Sequence, residues 1–199
     1  MLNSLIRACG IVLAVALIPG GVFADDLGPE QSETLPGGLE PYLEARLLEA
    51  QGRFREAMEA YEQAVREAPD VTEVRLAYAS FLVDVGMADR AAGLLEGVED
   101  LDAEGLKVRA LALAQLASRK PELADETEAA LRAALAAQDA DPNLLFALAQ
   151  ILLNTGELEE AETIAAGLRQ GRSSNPRLIA FHAGLLRDLG RTEEATELY

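Results

Sequence analysis

Gly52-Arg53-Phe54-Arg55-Glu56-Ala57-Met58-Glu59-Ala60-Tyr61-Glu62-Gln63-Ala64-Val65 is the stretch that decides the fold. Gly52, Ala57 and Tyr61 recur about 34 residues on as Gly86, Ala91 and Leu95. Gly156, Ala161 and Ala165 recur with the same step as Gly190, Ala195 and Tyr199. Within the quoted stretch, Ala57, Tyr61 and Ala64 share one helical face. Small Ala57 lets a second helix approach closely. Gly52 permits a turn before the helix, and Pro69 ends it because proline has no N–H to donate. The period is that of stacked helical hairpins, each burying its apolar side on its neighbours.

The rest of the chain fits such an array. It has 199 residues, 50% hydrophobic, with only 5% aromatics and no Trp. Alanine, leucine, glutamate and arginine dominate, and these are helix formers rather than strand formers. Lys and Arg total 17 against 34 Asp and Glu, a net charge of −17. That balance repels phosphates and anionic lipid head groups, so we expect no nucleic-acid partner and no anionic membrane surface. Most of the charge reads as solubility of exposed helix faces.

Residues 1–24 have the pattern of a secretory signal. Arg7 is its positive start, and Cys9-Gly10-Ile11-Val12-Leu13-Ala14-Val15-Ala16-Leu17-Ile18 its apolar core. Pro19, Gly20 and Gly21 break a helix, and Val22-Phe23-Ala24 offers a cleavage site before Asp25-Asp26. The apolar run is short of the ~20 residues a span needs, so no stable membrane span is expected after cleavage. Cys9, the only cysteine, would be lost with the signal, leaving a chain indifferent to an oxidising compartment. We therefore expect a periplasmic or otherwise exported protein. Residues 25–37 are too rich in Pro, Gly and acid to bury surface and are expected to be a disordered linker.

From residue 38 to 199 the sequence divides into about five units. The first runs from Gly38 to Val71. The second, Thr72 to Gly105, has Leu76, Ala79, Leu82 and Val83 in its first helix and Ala91, Leu94, Leu95 and Val98 in its second. The third lacks its turn glycine, and its extra length is placed in Arg119–Ala124, with Pro121 or Thr127 starting the second helix. The fourth has apolar faces Leu145, Leu148, Ala149, Leu152 and Leu158, Ala161, Ile164, Ala165, Leu168. The fifth begins near Pro176 and stops at Tyr199, inside its expected second helix. We expect either a piece of a longer repeat protein or self-association through this incomplete repeat.

Ala57, Tyr61, Ala64 and Pro69, with the recurring glycines, resemble the tetratricopeptide repeat family over residues 38–199. The family's tryptophan is missing from every copy. The resemblance implies an all-α, right-handed α-solenoid of antiparallel helix pairs. It also implies a concave groove, lined by first helices, that binds an extended peptide or a partner helix. In the family register that groove takes Tyr42, Arg46 and Glu49, then Leu76, Ser80 and Asp84, then Phe146, Gln150 and Asn154, and finally Ala180, Gly184 and Arg187. Some relatives clamp terminal carboxylates with Lys and Asn at set positions. Here Tyr42, Arg46 and Ala77 stand in those places, which disfavours that ligand.

No chemistry of catalysis is legible. His182 is the only histidine and reads as packing or surface. No phosphate-cradling loop and no nucleophile elbow occurs, and no cofactor is expected. Asp100-Leu101-Asp102 and Asp139-Ala140-Asp141 read as helix caps rather than calcium loops. Glu159, Glu160, Glu162, Glu193 and Glu194 read as solvated faces. The expectation is a non-enzymatic scaffold of the bacterial envelope that binds another protein. The alternative is the recognition region of a larger envelope enzyme or of a secretion or polysaccharide-export assembly protein. Intact mass of envelope-purified protein tests export: the mature chain should begin at Asp25, and a mass retaining residues 1–24 would make the protein anchored instead.

Overall fold

The computed structural model describes residues 37–137, 140–171 and 175–198. The expected signal, nearly all of the expected linker, and Tyr199 lie outside them. Among the described residues there are ten α-helices: α1 (Leu39–Ala50), α2 (Phe54–Glu67), α3 (Thr72–Asp84), α4 (Ala88–Leu95), α5 (Ala103–Ala117), α6 (Ala124–Ala137), α7 (Pro142–Thr155), α8 (Leu158–Gly171), α9 (Pro176–Asp188) and α10 (Thr192–Glu197). A single 3-10 turn, Pro121–Leu123, precedes α6. Successive helices pair as α1/α2, α3/α4, α5/α6, α7/α8 and α9/α10, and each pair packs on the next. The result is the all-α solenoid of five helix pairs that the period implies.

One backbone motif sets the register. After α1, α3, α7 and α9 the chain turns through Gly52, Gly86, Gly156 and Gly190, with φ between 73° and 91°. That left-handed region is strained for any residue with a Cβ. The next N–H then reaches back to a leucine carbonyl: Arg53 to Leu48 at 2.9 Å, Met87 to Leu82 at 2.7 Å, Glu157 to Leu152 at 2.8 Å and Arg191 to Leu186 at 2.7 Å. The glycine N–H itself bonds the carbonyl three residues back. Together these bonds satisfy the orphan carbonyls of each helix end. All four leucines are buried, so each turn is pinned to the core. The next helix starts two residues after the glycine every time.

Second helices contribute two buried columns. The first is Ala57, Ala91, Thr127, Ala161 and Ala195, and the second is Tyr61, Leu95, Leu131 and Ala165. Thr127 answers the irregular third unit. It does not start α6; the 3-10 turn at Pro121 does. The two extra residues lie before Thr127, which fills the alanine position and donates its hydroxyl to the Leu113 carbonyl at 3.4 Å. A second difference is Val98, expected in α4. That helix stops at Leu95, because Gly97 at φ 71° cannot continue it.

Asp102 and Asp141 do cap helices, accepting from the Gly105 N–H at 2.8 Å and the Asn143 N–H at 2.8 Å. Each such cap contributes about 1 kcal/mol. Asn175 caps α9 the same way, from the Arg177 N–H at 3.0 Å. At the other end, α1 exposes Glu40 and Glu44 where later units bury Val74, Val108, Leu144 and Leu178, or Tyr78, Ala112, Leu148 and His182.

Of the three core clusters, the first two share Leu111, and the third gathers Ala183, Leu186 and Ala195 at the far end. In the first, Tyr61 stacks on Tyr78 at 5.3 Å and 12°, with Phe81 at 5.3 Å from Tyr61. Burial raises both tyrosine pKa values above the ordinary 10, and the bond from Tyr61 to Glu49 raises that phenol further. Tyr78 is pushed up to about 12.

Turn and core each give a test. Gly93, in the interior of α4, has open space where a Cβ would sit and an ordinary φ; the space beside Gly86 is equally open, but its φ is 78°. Gly93→Ala should therefore raise stability by up to about 1 kcal/mol. Gly86→Ala should lower it by about 1–2 kcal/mol. Urea melts of the two variants should move in opposite directions. The tyrosines give a pH test. Their raised pKa values favour the neutral phenol, so their contribution is complete below the unfolded pKa of about 10 and is lost as pH climbs through the folded value. In an absorbance titration, Tyr61→Phe and Tyr78→Phe should leave the tyrosinate signal of the folded chain below pH ~11 unchanged. A loss of signal there would mean that the stack is open to water.

Candidate functional site

Counting from the buried leucine that ends each first helix puts the expected groove residues into columns. Tyr42, Leu76, Phe146 and Ala180 share one position, six residues before Leu48, Leu82, Leu152 and Leu186. Arg46, Ser80, Gln150 and Gly184 share another. Glu49 and Arg187 directly follow the leucine, whereas Asp84 and Asn154 come one residue later. The third column expected from the sequence is therefore two adjacent columns.

The structure ties several of these side chains together at the first pair of units. Tyr61, buried in α2, donates its hydroxyl to Glu49 Oε2 at 2.7 Å. Arg46 donates to the same oxygen at 3.0 Å and lies 3.5 Å from the Tyr61 hydroxyl. Tyr42 packs edge-on against Tyr61 at 6.5 Å and 62°. Tyr42 and Leu76 are half-buried and lean on the core. Asp84 is exposed, yet partial burial of its carboxyl and the Glu49 carboxylate hold its pKa above the usual value. A like charge with no cation beside it adds to the cost of ionising a partly desolvated carboxyl.

At the far end, Phe146 of α7 meets Phe181 of α9 at 5.0 Å and 62°. The Arg177 guanidinium lies 4.9 Å over the Phe146 ring, an arrangement worth ~0.5–1 kcal/mol at an exposed site. Gln150, Asn154 and Arg187 are exposed. Ser80 is half-buried, and a Cβ at Gly184 would meet open space. Sequence reasoning missed Arg177 and Phe181. Both lie on α9 near Ala180 and are tied to Phe146 by ring contacts that cross a unit boundary.

The outer side of the array behaves differently. Each junction between units carries an ion pair: Arg90 to Glu62 at 2.6 Å, Arg119 and Lys120 to Asp89 at 3.0 Å, Arg132 to Glu160 at 3.0 Å, and Arg191 to Glu162 at 3.5 Å. Glu160 and Glu194 are exposed but paired, the latter with Arg191. Glu162 is not a solvated glutamate as expected. Its carboxylate meets His182 Nε2 at 3.0 Å, and its side chain is only 18% exposed. His182 is buried in the column that holds Tyr78 in the second unit. A buried imidazole needs a partner, and α8 supplies it. Among the described residues no helix is long and apolar enough to cross a membrane.

Comparison with known proteins agrees with this geometry. Residues 48–116 match the tetratricopeptide repeat family model. Cellulose synthase 2 operon protein C of Komagataeibacter xylinus is 30% identical over 155 residues, which are 77% of this chain but 12% of that protein. The chain thus spans about an eighth of that relative's length. Among solved structures, MamA superposes with a TM-score of 0.66 at 18% identity, covering 81% of this chain and 87% of that one. YrrB, described as a tetratricopeptide repeat protein with an unusual peptide-binding site, gives 0.65 at 16% identity, over 81% and 82%. The thermophilic protein TTC0263 of Thermus thermophilus gives 0.56 at 20%, over 81% and 88%. The chain therefore carries tetratricopeptide repeats over residues 48–116, within an array whose fold is that of tetratricopeptide repeat proteins.

Proposed function

We propose that this chain is a non-enzymatic scaffold of the bacterial cell envelope, and that it holds a peptide or helix of a partner protein against the face lined by α1, α3, α5, α7 and α9. The observation that carries the reading is the contrast between the two sides of the array. On the side of the second helices, charges are spent on one another across every unit junction. First helices instead present half-buried Tyr42, Leu76 and Phe146 beside exposed Gln150, Asn154 and Arg187. A mixed face of aromatic, aliphatic and exposed polar groups suits a protein partner better than bulk water. The signal-like residues 1–24 support export, and the tetratricopeptide repeats support binding rather than catalysis.

The similarity to a cellulose synthase operon protein favours a second reading, in which these repeats serve a polysaccharide-export assembly. Both readings use the same face. Bulk added at Ser80 and Gln150 tests it. In pull-downs from envelope extract, Ser80→Tyr combined with Gln150→Tyr should reduce partner yield at least tenfold at unchanged helicity. Arg55→Ala, on the exposed side of α2, should not. Equal yields from the parent chain and both variants would move binding off the first helices.

A further inference from the structure

The charge on the first helices changes sign along the array. The column that follows the buried leucine begins with Glu49 in the first unit and ends with Arg187 in the fifth, with Val83, Ala117 and Leu153 between. The column nine residues before that leucine holds Glu73 in the second unit and Arg177 in the fifth. Lys107, between them, is already paired with Asp141 at 2.8 Å. Residues at one register position present the same side of successive first helices, and at 3.6 residues per turn these two columns lie about 80° apart, within one broad face. Asp84 adds to the acidic end, while Asp188, in the same column, stays acidic at the far end.

Glu49 is already met from within, by Arg46 at 3.0 Å and by the Tyr61 hydroxyl at 2.7 Å, but the rest of each end is not. Arg46 is the cation beside Glu49 and is shared with the Tyr61 hydroxyl. Among the described residues Asp84, Glu73, Arg177 and Arg187 make no ion pair, although the chain forms such pairs at every junction between its units. Arg177 is held in place over Phe146, so its charge stands beside a candidate binding residue. Between the two ends lie half-buried apolar side chains: Leu76, Leu111 and Phe146.

We infer that the occupant of this face is a charge-polarised segment: a lysine or arginine against Asp84, beside the Arg46–Glu49 pair, an apolar middle, and an aspartate or glutamate against Arg177 and Arg187. The inference rests on the groove reading above and adds the ligand's chemistry and its direction along the array. Opposite charges at the two ends fix direction, since the reversed ligand meets like charges at both. A strongly acidic chain would by itself favour any cationic ligand, so the basic end is the discriminating one.

Four fluorescein-labelled synthetic peptides with one leucine–alanine centre test it, their ends bearing Lys/Asp, Asp/Lys, Lys/Lys and Asp/Asp. A polarised peptide should bind at least tenfold more tightly than either uniform one. Asp84→Asn should weaken the polarised and Lys/Lys peptides but not Asp/Asp. Arg177→Gln with Arg187→Gln should weaken the polarised peptide and should not weaken Lys/Lys. A photocrosslinker at the lysine end should label α1 or α3, not α9. Equal affinity of Lys/Lys and polarised peptides, indifference to both sets of substitutions, or no binding by any peptide would overturn the inference. The groove reading fails separately, if the Ser80→Tyr, Gln150→Tyr variant keeps its full partner yield.

Discussion

The hydrogen bond from the residue after each turn glycine to the carbonyl of a buried leucine is the constraint on which this architecture depends. It is made at Leu48, Leu82, Leu152 and Leu186. It fixes where the first helix stops, which side chain is the last to enter the core, and where the second helix begins. The columns of alanine and of large apolar residues therefore line up across the units that share it. The third unit does without the glycine. There Arg119 and Lys120 bond back to Leu116, and a 3-10 turn carries two extra residues before the register resumes at Thr127.

Much of this was legible in the sequence, because the constraints act on the backbone. A positive φ calls for glycine, and a close helix approach calls for alanine, so both recur visibly at Gly52, Gly86, Gly156, Gly190 and at Ala57, Ala91, Ala161, Ala195. Thr127 was not legible as their equivalent, since a two-residue insertion hides its register and a hydroxyl disguises its role. Glu162 was misread for a different reason. Its partner His182 is twenty residues away and meets it only when α8 and α9 pack. The groove residues were legible as register positions, but not as environments. Nothing local to Arg46 announces that Tyr61 and Glu49 hold it.

The division of labour between helices follows from the stacking. Along the side of the second helices, adjacent units lie close enough for long side chains to pair across each junction. These exposed pairs contribute little individually. Every junction has one, and none is repeated identically. First helices carry fewer such pairs. Around the Tyr61–Tyr78 stack, Glu49 with Arg46 meets one phenol and Glu62 with Arg90 the other, while Lys107 and His182 find their carboxylates in later units.

The junction pairs also make the units unequal in a way their shared fold conceals. At the first junction the glutamate is on the earlier helix and the arginine on the later one, Glu62 facing Arg90. At the third, the same two register positions are reversed, Arg132 facing Glu160. An internal deletion that removed the second and third units in frame would keep every turn and every core column, yet it would set Glu62 against Glu160. The order of the repeats is thus written in their surface charge. Recombination between copies therefore changes which charges meet at a junction even where the hydrophobic core survives it.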